Sequence, residues 1–186
     1  MIRAALLMVT TLSLSSAALA VEVSGVKVKD TATVGGEALV LNGAGLRTKV
    51  VFNVYVASLY LPAKATDLAG VLAKGPRRVQ LNMLRTLAAD ALIEAFNDGF
   101  KDNNSAAEMT ATKAGREQMT TIMKGFGEIK EGAVVGMDYA AEGTTISLNG
   151  VAKGTIPGAA FNTAVMKIWL GDKPVQADLK KALLGG

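Results

Sequence analysis

Arg47 and Tyr55 are the two polar side chains of this sequence best spaced to do chemistry together. Arg47 stands between Gly43-Ala44-Gly45, read as a turn, and a long apolar β segment. An arginine beside such a segment either carries its head out to solvent or meets an anion. Tyr55 follows eight residues later, and an even offset puts it on the same sheet face if the strand is regular. A guanidinium and a phenol hydroxyl on one concave face can clamp a carboxylate or a phenolate. The alternative leaves Tyr55 as an ordinary core aromatic with its hydroxyl at the rim.

Composition excludes most other chemistry. The 186 residues contain no histidine and no cysteine. That removes the commonest general base, the commonest metal ligand, thiolate sites, disulfides and every Ser-His or Cys-His nucleophile. The acids show no metal-ligand spacing, and Glu128 with Glu131 reads as a solvated turn, so no metal and no cofactor is expected. Haem is left only Tyr, Met or Lys as ligands. Gly43-x-Gly45 is not a dinucleotide loop, because Thr48 occupies the third glycine position and no βαβ unit surrounds it. The basic residues are scattered, without the stripe and interleaved aromatics of a nucleic-acid reader. Oligomeric state is not legible here.

The elements that must position these residues follow from periodicity. Val21 to Leu41 reads as short strands with a turn at Gly35-Gly36. Val50 to Leu61 is the strongest β segment. Val50, Phe52, Val54, Val56, Ser58 and Tyr60 face one way, and Val51, Asn53, Tyr55, Ala57, Leu59 and Leu61 the other. Both faces are largely apolar, which predicts a strand covered on both sides. A short helix is expected over Thr66 to Lys74 with Thr66 as N-cap, then a strand over Arg77 to Leu84. Leu87 to Phe100 places Ala88, Leu92, Ala95, Phe96 and Gly99 on one helical face. Ala106 to Phe126 reads as a second helix, with Gly115, Met119, Ile122, Met123 and Phe126 in one stripe. Strands at Val134 to Ala140, Thr144 to Leu148 and Val151 to Ile156 form a meander through Glu142-Gly143 and Asn149-Gly150. Pro157 opens a helix ended by Gly171, and Ala177 to Leu184 is a last amphipathic helix. The sum is an α+β domain over residues 21–186, with helices on one face of an antiparallel sheet.

Residues 1–20 read as a secretory leader. Arg3 gives a positive start, an apolar stretch follows, and Ala18-Leu19-Ala20 fits the small-x-small cleavage rule. Cleavage after Ala20 predicts a periplasmic or secreted chain beginning at Val21, with no membrane span left after cleavage. Its removal lowers the formal charge from +4 to +3. Six of the eight methionines remain. They imply either a pliable cavity between sheet and helices or ordinary helix-face packing.

Leu41-Asn42-Gly43-Ala44-Gly45-Leu46-Arg47, with the strand that ends Leu59-Tyr60-Leu61, resembles the start of the chalcone isomerase domain. Gly132 to Tyr139, Ile156-Pro157, Ala164-Val165, Leu170-Gly171 and Asp178-Leu179-Lys180 resemble its later segments, so the likeness spans most of residues 36–184. It implies an open-faced sandwich, a large antiparallel sheet under a layer of helices, with a ligand cleft between the layers. Arg47 falls at the position of the family's catalytic arginine, which stabilises an enolate in the plant isomerases. The catalytic threonine falls at Tyr55 and a helix hydroxyl at Ile168, which has no polar group. Asn97 is the nearest candidate for a helical Tyr/Asn pair. Non-catalytic members of the fold bind fatty acids, with the arginine and a strand tyrosine on the carboxylate, and Arg47 with Tyr55 is similar to that pattern. The expectation is a non-catalytic binder of a small amphipathic carboxylate, such as a fatty acid, through Arg47, Tyr55, Asn97 and Ile168. An isomerase using Arg47 as electrophile and a structural role with an empty cleft are the alternatives.

Overall fold

The computed structural model describes residues 21–73 and 75–186. The expected leader, residues 1–20, lies outside them. Eleven strands and six helices are described: β1 Val21–Val23, β2 Val26–Val28, β3 Thr31–Val34, β4 Glu37–Lys49, β5 Phe52–Leu61, α1 Leu68–Leu72, β6 Arg77–Met83, β7 Leu87–Ala88, α2 Ala89–Asn103, α3 Ala106–Ala111, α4 Lys113–Lys124, β8 Glu128–Ile129, β9 Val134–Ala140, β10 Gly143–Leu148, β11 Val151–Ile156, α5 Ala159–Leu170 and α6 Ala177–Leu183. Seven strands form one antiparallel sheet in the order β11-β10-β9-β6-β5-β4-β3. Helices α2 to α4 are inserted between neighbours β6 and β9 and fold back over the sheet, which gives the expected α+β architecture.

Alternation along β5 sorts the core into two layers. Tyr55, Ala57, Leu59 and Leu61 join the larger cluster with the helices. Val56 and Tyr60 turn to the other face, where Leu39, Leu41, Val28 and Val34 close a smaller cluster beneath the β1–β2 hairpin. The strand is therefore covered on both sides, as its apolar faces require. In β6, Val79, Leu81 and Met83 point into the larger core in the same way.

Gly43-Ala44-Gly45 is not a turn. These residues lie inside the thirteen-residue strand β4, and the chain reverses instead at Val50-Val51. Their glycines serve close packing: a Cβ on Gly43 would sit 2.0 Å from the Ala182 carbonyl oxygen, and one on Gly45 2.7 Å from the Ala182 Cβ. Helix α6 thus lies directly on the strand backbone. The pairing also slips by one residue between Leu41 and Gly43, leaving Asn42 extra. Asn42 is 1% exposed. Its amide donates to Ala65 O (2.9 Å) and Leu183 O (2.7 Å), and its Oδ1 accepts from Ala65 N (2.7 Å). The bulge residue fastens α6 and the approach to α1 onto the sheet.

Several helix boundaries differ from the periodicity: Leu87 and Ala88 pair with β8 as strand β7, so α2 runs from Ala89 to Asn103, and α4 ends at Lys124. Asp67, not Thr66, caps α1, its carboxylate accepting from Gly70 N at 2.7 Å. The stretch 106–126 is broken at Thr112, whose dihedrals leave the helical range and whose Oγ1 accepts no cap bond but donates back to Glu108 O at 2.6 Å. Helix α5 begins at Ala159 behind Gly158 at φ 93°, because the chain must turn sharply after Pro157.

Candidate functional site

A cavity of about 630 Å³ separates the sheet from the helix layer. Its floor is built from β4, β5, β6 and β9, with Val54, Tyr55, Leu81, Val135 and Met137 facing in. Its roof comes from α2, α4 and α5. The roof stands off the sheet because α2 presents small side chains at a spacing of four, Ala91, Ala95 and Gly99, on the face where Leu92 and Phe96 also line the cavity. Met119 and Met123 of α4 complete the apolar wall. Met119, Met123 and Met137, three of the six methionines among the described residues, therefore serve the cavity, and Met83, Met109 and Met166 pack elsewhere in the larger core.

Arg47 and Tyr55 both line this cavity. They belong to different strands and are direct cross-strand partners in the β4–β5 hairpin. Their shared face thus comes from hairpin register and not from an even offset along one strand. A second slip follows at once: Arg47 pairs Tyr55 and Thr48 pairs Asn53, leaving Val54 unpaired. The bulge lets consecutive residues Val54 and Tyr55 both reach the cavity, a device common beside binding sites.

The two polar heads are held differently. Tyr55 is 8% exposed, and its hydroxyl accepts a hydrogen bond from Trp169 Nε1 at 3.1 Å. Burial pushes its pKa up; the Trp169 hydrogen bond and the nearby Arg47 charge pull the other way and are outweighed. The phenol stays protonated at neutral pH. With one lone pair occupied by the indole N–H, its own proton is free to be donated to a ligand. Arg47 is half-buried. Its Nη1 donates to Thr48 O and to Gln176 Oε1 (3.4 Å). Gln176 is itself clamped to β4, accepting from Thr48 N at 2.9 Å and donating to Leu46 O at 3.2 Å. No carboxylate among the described residues forms an ion pair with Arg47. A guanidinium held by neutral acceptors at the wall of an apolar cavity lacks a counter-charge, and an anionic ligand would supply one.

Ile168 also lines the cavity, from α5, and packs on α2, where a Cβ on Gly99 would meet its Cγ2 at 3.0 Å. It contributes shape and no hydrogen bond. Asn97 corrects the expectation placed on it: it lies on the exposed side of α2 and does not line the cavity. Ile93, Phe96 and Phe100 take the core face of α2 and Leu92, Ala95 and Gly99 the cavity side, and Asn97 falls on neither. Sequence reasoning missed Trp169 and Gln176. Trp169 is the sole tryptophan of the chain and adjoins Ile168, and a buried indole N–H needs an acceptor. Gln176 carries no comparable signal, since its role depends on a bond across 128 residues. Among the described residues no cluster of metal-ligating side chains occurs.

A sheet under a helix layer, with a cavity between them and an Arg-Tyr pair in its wall, defines an open-faced α+β sandwich. The chalcone isomerase-like family model matches residues 20–185, and the chain belongs to that family. A comparison with curated proteins finds no match. Among solved structures, the chain is similar to a fatty-acid binding protein of Arabidopsis thaliana, at 12% identity and a TM-score of 0.60, over 83% of this chain and 95% of that one. At this identity the likeness establishes the shared fold.

Proposed function

We propose that this protein is a non-catalytic carrier of an amphipathic carboxylate, such as a fatty acid, working in the periplasm after loss of residues 1–20. The observation that supports it best is the pairing of Arg47 with Tyr55 at the wall of a 630 Å³ apolar cavity, a volume within the range of small-molecule sites. Both heads are donors. Arg47 offers charge, Tyr55 offers an O–H oriented by Trp169, and a carboxylate accepts from both. The acyl chain would lie along Leu92, Phe96, Met119 and Met123. The fatty-acid binding protein of the same fold supports this reading. The isomerase alternative lacks a second polar group at Ile168, and an electrophile without orienting partners positions a substrate poorly.

Native mass spectrometry of the mature protein, followed by ligand extraction, tests the proposal. A co-purifying carboxylate that is lost in Arg47→Ala supports it. Ligand-free protein that fails to bind added fatty acids, and instead cyclises a chalcone in an Arg47-dependent reaction, would replace it with the isomerase.

A further inference from the structure

The β4–β5 hairpin ends in a two-residue loop, Val50-Val51, between Lys49 and Phe52. Val50 is 91% exposed, Val51 81% and Phe52 55%. Three consecutive large apolar side chains in solvent form a contiguous patch, unlike scattered surface hydrophobics. Local strain accompanies the exposure. Val50 sits at φ 58°, a left-handed conformation that a β-branched residue adopts only at a cost. Three other two-residue hairpins carry a positive φ at the same first loop position, and they meet it with Ser24 (47°), Gly35 (58°) and Asn149 (51°), each followed by a glycine. Folding alone therefore gives no reason for valine at position 50, and strain combined with exposure points to a use for the apolar tip.

The tip borders the cavity. Lys49, Val50 and Phe52 line it, together with Arg85 and Lys173, so a ligand passing through this mouth passes the hairpin. Lys49 and Lys173 are exposed, and the Arg85 guanidinium lies 4.6 Å from the Phe52 ring centroid. Asp98 and Asp102 of α2 also reach this rim. The three cations exceed the two acids, and two of them flank the apolar residues directly. Aromatic and aliphatic side chains beside basic ones are what an anionic lipid interface accepts: the apolar groups enter the acyl boundary and the cations meet headgroup phosphates.

We infer that the Lys49–Phe52 tip, with Arg85 and Lys173, seats on an anionic phospholipid surface and opens the cavity mouth onto it, so that ligand moves between cavity and bilayer without crossing bulk water. The transfer step rests on the carrier reading above, and the docking step does not.

The test is flotation of the mature, ligand-free protein with phosphatidylcholine vesicles, with and without phosphatidylglycerol. Protein floats with the anionic vesicles and is released by high salt. Val51→Asp, which alters no cavity-lining residue, lowers the vesicle-bound fraction about tenfold. Absence of binding to phosphatidylglycerol vesicles, or binding that Val51→Asp leaves unchanged, overturns the inference. So does a lipid-independent dimer that Val51→Asp dissolves, which would give the tip to a second copy. Fatty-acid affinity measured without lipid separates the two ideas: its absence removes the carrier reading while the flotation result stands.

Discussion

Arg47 and Arg77 project from the same face of one sheet, both bonded only to neutral oxygens, and they differ in burial and in what else their heads meet. Arg77 is 4% exposed. Its Nε donates to Asn162 Oδ1 at 2.7 Å, its Nη1 to Val71 O at 3.3 Å, and its guanidinium lies 4.2 Å from the centre of the Tyr139 ring. Burial pulls its pKa down and the nearby Tyr139 partly offsets that. Arg77 is a structural joint tying β6 to α1 and α5. Arg47 is half-buried, its hydrogen bonds all run from Nη1 to neutral oxygens, and the rest of its head borders an apolar cavity. Each arginine makes two hydrogen bonds to neutral oxygens, so what separates them is what the rest of the head meets: the Tyr139 ring for Arg77, open cavity for Arg47.

Five substitutions and two pH profiles sharpen this contrast. Arg77→Ala should give the largest loss of stability, about 3 kcal/mol in denaturant unfolding, because it leaves a hole and orphans the Asn162 and Val71 acceptors. The ligand affinity of the molecules that remain folded should be unchanged. Arg47→Ala should do the reverse: a loss of about 2 kcal/mol in ligand affinity, the size of a charge-assisted hydrogen bond, with unfolding shifted by less than about 1 kcal/mol. Equal stability losses for the two arginines would erase the distinction.

Ala95→Phe should fill the cavity from α2 and weaken ligand binding by titration calorimetry while leaving the fold intact, since Ala95 faces the void. Tyr55→Phe removes a neutral hydrogen bond to ligand and should weaken binding by about 1 kcal/mol. It also orphans Trp169 Nε1, so part of the effect should appear in thermal unfolding. Because the Tyr55 pKa is raised, its hydroxyl remains a donor and its contribution to binding should be flat from neutral to mildly alkaline pH.

The smallest effect lies away from both arginines. The Lys167 ammonium 2.5 Å away and the Ser105 capping bonds lower the Glu108 pKa to about 2. A depressed carboxylate contributes stability above its unfolded value of about 4.5 and loses it as pH falls toward 2. The pair is partly exposed, so less than about 1 kcal/mol should disappear across that window, and Glu108→Gln should flatten the change.

The amino-acid order determined a good deal. Alternation fixed which side chains face the helices in β6 and from Tyr55 onward in β5, because side-chain direction in a regular strand has a period of two, but the bulge at Val54 brings Phe52 and Val54 to the cavity side against that pattern. The absence of histidine and cysteine removed whole classes of chemistry. Of the stripe read at Ala88, Leu92, Ala95, Phe96 and Gly99, only Phe96 and Gly99 lie on the buried face of α2, which also takes Ala89, Ile93 and Phe100, and Arg47 and Tyr55 share a face through hairpin register and not through an even offset. Tertiary structure decided the rest. Gly43 and Gly45 look like turn residues and are instead a bed for α6, since a glycine permits close approach as readily as a bend. Asn97 was excluded by helix phase and Trp169 gained by it, each a single residue from the expected position. The roles of Arg47 and Arg77 could not be told apart along the chain, because the partners that satisfy one and leave the other open to a ligand come from segments such as Asn162 and Gln176, 85 and 129 residues away. Local sequence sets the direction in which a side chain points, and only the packed fold sets what it meets.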